Sequence, residues 1–96
     1  NVIIFIADGA DPVSITASRI LAGQQAGMTG EENVLSYETF PNVALVKTYT
    51  TDAQVADSAP TATAWNTGVK TDNGLIGVNE RAVYDDCASQ QGNEVT

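Results

Sequence analysis

The chain has 96 residues, of which 43% are hydrophobic, and carries twelve acidic against four basic side chains for a net charge of −8. That balance disfavours nucleic acid and anionic membrane surfaces as partners, and it repels an anionic substrate unless cations are concentrated where the substrate binds. No apolar run reaches the ~20 residues needed to span a bilayer, so neither a transmembrane segment nor a signal peptide ahead of Asn1 is expected.

Val2 to Ala7 is a continuous apolar run rich in β-branched residues, the pattern of a strand buried on both faces of a parallel sheet, and it ends at Asp8. Asp11-Pro12 offers a cap and a first-turn proline. Val13, Ala17, Ile20 and Leu21 then fall at i, i+4, i+7 and i+8, one face of an amphipathic helix, with Gly23 and Gly27 as candidate stops. In open α/β sheets, ligands gather beyond the carboxyl ends of strands, so a carboxylate such as Asp8 in a strand-to-helix turn is placed to take part in a site; a plain turn or capping role is the alternative.

Gly27 to Pro41 reads as a loop with one short helix at most. Val43-Ala44-Leu45-Val46-Lys47-Thr48-Tyr49-Thr50 is a second β-branched stretch and leads through a polar turn to Asp57 and Ser58. Pro60 is tolerated only in a first helical turn, which starts a helix close to Ser58, and Gly68 stands where a glycine cap ends one. Asp8 and Ser58 thus both stand at or beyond a strand end, where two sequence-distant groups can face one site. Beyond Lys70, Asn73-Gly74 is a turn, Leu75 to Val78 a short strand or packed loop, and Gly92-Asn93-Glu94 the start of another helix. Two strands and two complete helices cannot cover both faces of a parallel sheet.

A helix N-terminus presents outward backbone N–H groups that favour negative charge, so a serine there is well placed to meet an anion. Acting as a nucleophile is a harder task. The helix dipole supplies about 0.3–1 kcal/mol, whereas ionising a hydroxyl near pH 7 requires a shift of roughly eight units, or ~11 kcal/mol. The chain contains no histidine, so no Ser-His-Asp triad can form within it, and the G-x-S-x-G elbow is absent around Ser58. A metal ion is the remaining activator. The simpler alternative is that Ser58 only caps the helix.

The run Asp57-Ser58-Ala59-Pro60-Thr61-Ala62-Thr63-Ala64 through Gly68-Val69-Lys70 resembles the active-site signature of the alkaline phosphatases, in which the serine after the aspartate is phosphorylated. Val2-Ile3-Ile4-Phe5-Ile6-Ala7-Asp8-Gly9 resembles the first strand of that family and its metal-binding aspartate, and Cys87 through Gly92-Asn93-Glu94-Val95-Thr96 resembles a segment of its animal-type members. The resemblance implies an α/β fold, with residues 1–96 the N-terminal portion of a single larger catalytic domain built as three α/β/α layers around a mostly parallel sheet. It implies an enzyme that hydrolyses phosphate monoesters through a phosphoserine on Ser58, releasing inorganic phosphate, with two zinc ions and one magnesium as cofactors. Ser58 would ligate one zinc, Asp8 would bridge a zinc and the magnesium, and Asp57 would orient the site or its phosphate-gripping arginine, a capping role being the alternative. The histidine ligands, that arginine and the other carboxylates would come from further along, so this stretch alone is expected to be inactive.

A periplasmic or secreted location and a homodimer are also implied by the resemblance. In animal-type members the cysteine matching Cys87 is bridged to one further along; an unpaired, buried thiol is the alternative reading. The chain departs from the family in its first loop, Ala7-Asp8-Gly9-Ala10-Asp11, where the usual run is Gly-Asp-Gly-Met-Gly. Asp11 there serves as a helix cap or alters the metal preference. Pro60 stands where a small residue is common. Two other classes compete: a phosphodiesterase or sulfatase-like metallohydrolase of the same superfamily, and a non-catalytic acidic domain that binds a cation through Asp8. A sulfatase needs a C/S-x-P-x-R context, which Ser58-Ala59-Pro60-Thr61-Ala62 lacks.

Overall fold

The computed structural model describes residues 1–96, which divide into two compact units, Asn1–Ala44 and Leu45–Thr96. Two α-helices are present, α1 over Pro12–Gln25 and α2 over Ser58–Thr67, with short 3₁₀ turns at Ser36–Thr39 and Cys87–Gln90.

In the first unit, α1 starts where the local chemistry puts it. The Asp11 side chain accepts a hydrogen bond from the Ser14 N–H at 2.7 Å, and Pro12 fills the first position, where a missing N–H costs nothing. This bond, joined by one from the Ser14 side chain, holds the Asp11 carboxyl below its usual range. Asp11 is therefore a cap. The helix passes through Gly23 and ends at Gln25 with Ala26 as its cap, and Gly27 just beyond turns the chain away at φ +82°, which suits a residue without a Cβ. Gly23 serves packing instead, because a Cβ there would lie 2.7 Å from the Gly30 Cα and 2.8 Å from the Asn33 Cβ. The loop returns across the helix at that point, tied by Asn33 Nδ2 donating to the Arg19 carbonyl at 3.0 Å. Glu32 braces the loop from within, accepting from Thr29 N–H, Thr29 Oγ1 and Gly30 N–H.

In the second unit, the segment after α2 packs back on its own surroundings. Leu75, Val78 and Ala82 form a small apolar core, with Pro60, Thr50, Thr63 and Thr71 also buried. The Thr63 hydroxyl donates to the Ala59 carbonyl at 3.1 Å and accepts from the Gly77 N–H at 3.0 Å, which fixes the 74–78 loop against α2. Leu75 to Val78 is thus a packed loop, and Asn73-Gly74 is a turn, with Gly74 at φ +80°.

Four expectations are corrected. Residues 2–7 and 43–50 form no strands, so the α/β architecture with its mostly parallel sheet is absent from these residues. The cause is the non-local nature of a sheet: a strand needs at least one neighbouring strand to pair with, and neither stretch forms a backbone ladder with another segment here. Apart from Thr50, their side chains stay exposed, Phe5 at 92% and Val43 at 95%. Val13 and Leu21 on α1 are likewise exposed, so its apolar face is uncovered. Gly92-Asn93-Glu94 does not open a helix: Gly92 adopts φ +80°, and residues 77–79 and 93–95 pair through a single antiparallel bridge, Val78 with Glu94. Finally, Cys87 is an exposed free thiol, which removes the buried alternative. No helix is long and apolar enough to cross a membrane.

Candidate active site around Ser58

Asp57, and not Ser58, caps α2. The Asp57 Oδ1 accepts from the Ala59 N–H at 2.8 Å, and Ser58 becomes the first helical residue. Ser58 is exposed, and its Oγ takes no hydrogen-bond partner within the chain; only its backbone carbonyl is engaged, by the Thr61 hydroxyl at 2.9 Å. The hydroxyl is free for another task.

The helix terminus itself offers less to an anion than the sequence implies. The Ala59 N–H is consumed by Asp57, and Pro60, fully buried in the first turn, has no N–H to give. Of the first three helical positions only Ser58 keeps an N–H that is not committed in this way. A phosphate at this point therefore needs other cationic groups, as the charge of −8 also demands.

The segment around Ser58 is held from the side by the turn at 71–74. The second Asp57 oxygen, Oδ2, accepts from the Gly74 N–H at 2.6 Å. Asn73 contributes three bonds: its own N–H donates to Asp52 Oδ1 at 3.0 Å, its Nδ2 to the Val55 carbonyl at 3.1 Å, and its Oδ1 accepts from the Asp57 N–H at 3.2 Å. The Asn73 N–H and the Thr50 hydroxyl together hold the Asp52 carboxyl below its usual range. Further back, Thr51 N–H donates to the Thr71 carbonyl at 3.2 Å, and the Lys70 ammonium reaches the Tyr49 carbonyl and lies 3.9 Å above the Tyr49 ring. A cavity of about 310 Å³ lies along this side, lined by residues that include Tyr49, Pro60, Trp65, Lys70 and Thr71. The Thr71 hydroxyl is buried and has no partner.

Asp8 belongs to the other unit. It occupies a four-residue turn closed by the Ala10 N–H on the Ala7 carbonyl at 3.3 Å, with Gly9 at φ +72°. Its carboxylate is exposed and accepts no hydrogen bond from the chain. Nowhere do three or more His, Cys, Asp or Glu side chains gather closely enough to hold a metal ion. The sequence therefore located the Ser58 helix and its neighbour but treated Asn73 only as a turn residue. Its link to Asp57 spans 16 positions, and no local periodicity signals that.

The geometry defines a class of site: an exposed serine at the head of a helix whose cap is supplied by the preceding carboxylate. The comparison with known proteins makes it specific. Residues 1–96 match the alkaline phosphatase family throughout, and the chain belongs to that family. It is 53% identical over 96 residues to an alkaline phosphatase of Gadus morhua, covering all of this chain and 20% of that relative. It is 52% identical to the tissue-nonspecific isozyme of Mus musculus and 51% identical to that of Homo sapiens, in each case over all of this chain and 18% of the relative. The chain thus spans about a fifth of the length of the relatives it matches.

Proposed function

We propose that the full-length protein is a phosphomonoesterase in which Ser58 is the nucleophile and residues 1–96 are the N-terminal portion of a single larger catalytic domain. The observation that supports this most is the division of labour at the helix start: Asp57 does the capping, which leaves the Ser58 hydroxyl exposed and unbonded. Ser58 Oγ attacks phosphorus, an Oγ–P bond forms, and the bond from phosphorus to the ester oxygen breaks as the alcohol leaves with a proton. Water then cleaves the Oγ–P bond of phosphoserine, returning the serine and releasing inorganic phosphate.

The cofactors proposed are two zinc ions and one magnesium. The donors present are oxygens, the kind that magnesium requires and that zinc also accepts, and Asp8 and Ser58 offer them with no competing partner. They do not fit in number, since no cluster of three ligand side chains exists among these residues. Asp8 and Ser58 would each contribute one ligand, the others lying in the remainder of the protein. Bound, such ions lower the pKa of a ligated hydroxyl and offset the charge on the attacking and leaving oxygens. Asp57 keeps Ser58 at the head of the helix and, with both oxygens engaged by backbone N–H groups, has a defined orientation for further donors. These 96 residues alone are expected to show no turnover.

A homodimer and a secreted location belong to the same proposal. Nothing supports a periplasmic location, because the relatives named above come from animals, which have no periplasm. The related diesterase or sulfatase-like reading, and that of a cation-binding domain without activity, make different forecasts for one experiment. Phosphomonoester turnover by the full-length protein with zinc and magnesium is expected to fall by several orders of magnitude in Ser58→Ala. Equal turnover by that variant would eliminate the phosphoserine route. Asp8→Asn is expected to lower the bound zinc or magnesium, read by elemental analysis; full retention of both would remove Asp8 from the site.

A further inference from the structure

We propose that Asn73 is a positioning residue for Ser58, acting as a one-residue stand-in for a neighbouring β-strand along Val55–Asp57; the inference rests on Ser58 being the nucleophile. Its amide presents Nδ2 to the Val55 carbonyl at 3.1 Å and Oδ1 to the Asp57 N–H at 3.2 Å. A strand partner would satisfy the same carbonyl and N–H, two residues apart on one edge. The two neighbours also fix which way the amide points, because a carbonyl requires a donor and an N–H requires an acceptor. A carboxylate could serve only one of them, and an aliphatic side chain neither.

The consequence falls on the next residue. Asp57 is gripped at its N–H by Asn73, at Oδ2 by the Gly74 N–H at 2.6 Å and at Oδ1 by the Ala59 N–H at 2.8 Å. Asn73 is itself pinned through its backbone N–H to Asp52 at 3.0 Å, so the turn has a fixed purchase on both ends of the 52–57 corner. Ser58 sits between a clamped Asp57 and a capped Ala59, which sets the direction of its Cα–Cβ bond while leaving the hydroxyl free. Loss of the amide contacts returns two peptide groups to water, a change small enough for the fold to survive. In-line attack is far less tolerant, since a displacement of about 1 Å can cost about a hundredfold in rate.

The test uses the full-length protein, with Asn73→Leu, which removes both amide contacts, and Asn73→Asp, which keeps only the acceptor. Single-turnover phosphorylation of Ser58, trapped by acid quench, is expected to slow by about ten- to a hundredfold in Asn73→Leu and by less in Asn73→Asp. KM should stay within about twofold, because the substrate is not touched by Asn73. Asn79→Ala serves as the structural control: it removes a comparable turn contact, Asn79 Oδ1 to the Arg81 N–H at 2.9 Å, and should leave the phosphorylation rate unchanged. If Asn73→Leu does not fold, Asn73→Asp carries the test by the same readout. Wild-type phosphorylation rates in the folded Asn73 variants would overturn the positioning role while leaving Ser58 in place. An active Ser58→Ala would instead overturn the nucleophile itself, and this inference with it.

Discussion

The two units are held together in different ways. In Asn1–Ala44 no apolar side chain is buried; Gly23 and Gly30 are the buried residues, and the loop lies on α1 through a backbone approach that only glycine permits. In Leu45–Thr96 an apolar cluster of Leu75, Val78 and Ala82 forms beside α2, and hydroxyl and amide side chains lace the surrounding turns to it. Both units contain a well-capped helix of ordinary length. A helix closes its own hydrogen bonds from local sequence, whereas a core requires a second segment to come back and bury apolar side chains; the returning loop of the first unit carries Met28, Val34 and Phe40 but leaves them exposed, while 75–82 buries three.

That contrast can be broken most directly at Leu75. Leu75→Ala in the full-length protein is expected to cost about 2–5 kcal/mol by urea unfolding, the range for truncating a buried leucine. A loss no larger than that of a surface substitution would show that the 75–82 cluster is not a core. The first unit should be sensitive to addition instead. Gly23→Ala places a methyl 2.7 Å from the Gly30 Cα, and overpacking of this kind costs about 1–3 kcal/mol. Stability equal to that of the wild type would mean that the loop does not press on α1 at Gly23.

A smaller effect separates the ends of the two helices from their interiors. Gly68, the α2 cap, has φ +78° and open space for 4 Å around the place a methyl would take, so Gly68→Ala meets only backbone strain, about 1–2 kcal/mol for a left-handed residue. Gly23→Ala clashes without such strain, and a temperature scan of the two variants compares the mechanisms. The smallest expected effect is one of pH. Hydrogen bonds from the Thr29 hydroxyl and from the Thr29 and Gly30 N–H groups lower the Glu32 carboxyl to about 2. A carboxyl depressed on folding stabilises above its unfolded pKa and loses that contribution as pH falls through the folded one. Protection of the Thr29 and Gly30 amides against hydrogen exchange should therefore hold near neutrality and decline from about pH 4.5 towards about pH 2. Unchanged protection across that window would disconnect Glu32 from the loop.

The uncovered apolar stretches sharpen the same comparison in the full-length protein. If residues 1–96 are the first part of a larger domain, the amides of residues 2–6 and 43–48, which bond to no backbone group within this chain, should exchange slowly once the remainder is present. Fast exchange there would argue against the single-domain proposal.

How far the sequence reached depended on distance along the chain. The helix starts at Asp11-Pro12 and Asp57-Ser58, the glycine ends at Gly27 and Gly68 and the turn at Asn73-Gly74 were all legible, because each is settled by contacts within about four residues. Ser58 was legible as a candidate through its motif. Its freedom was not, since Ser58 and Asp57 are both acceptable caps and only the folded geometry shows which one serves. The Gly92-Asn93-Glu94 start failed for a non-local reason: pairing with residues 77–79 satisfies backbone groups that a helix would otherwise have to satisfy.

Sequence alone thus determined the local elements, the acidic character and the family signature around Ser58, because propensity, capping and charge are properties of neighbours in the chain. Tertiary structure decided that the two β-branched stretches remain unpaired here, that Asp57 takes the cap, and that Asn73 reaches back to hold the corner before Ser58. Those outcomes turn on which distant backbone groups meet, and a hydrogen bond between residues 16 positions apart leaves no trace in composition or periodicity.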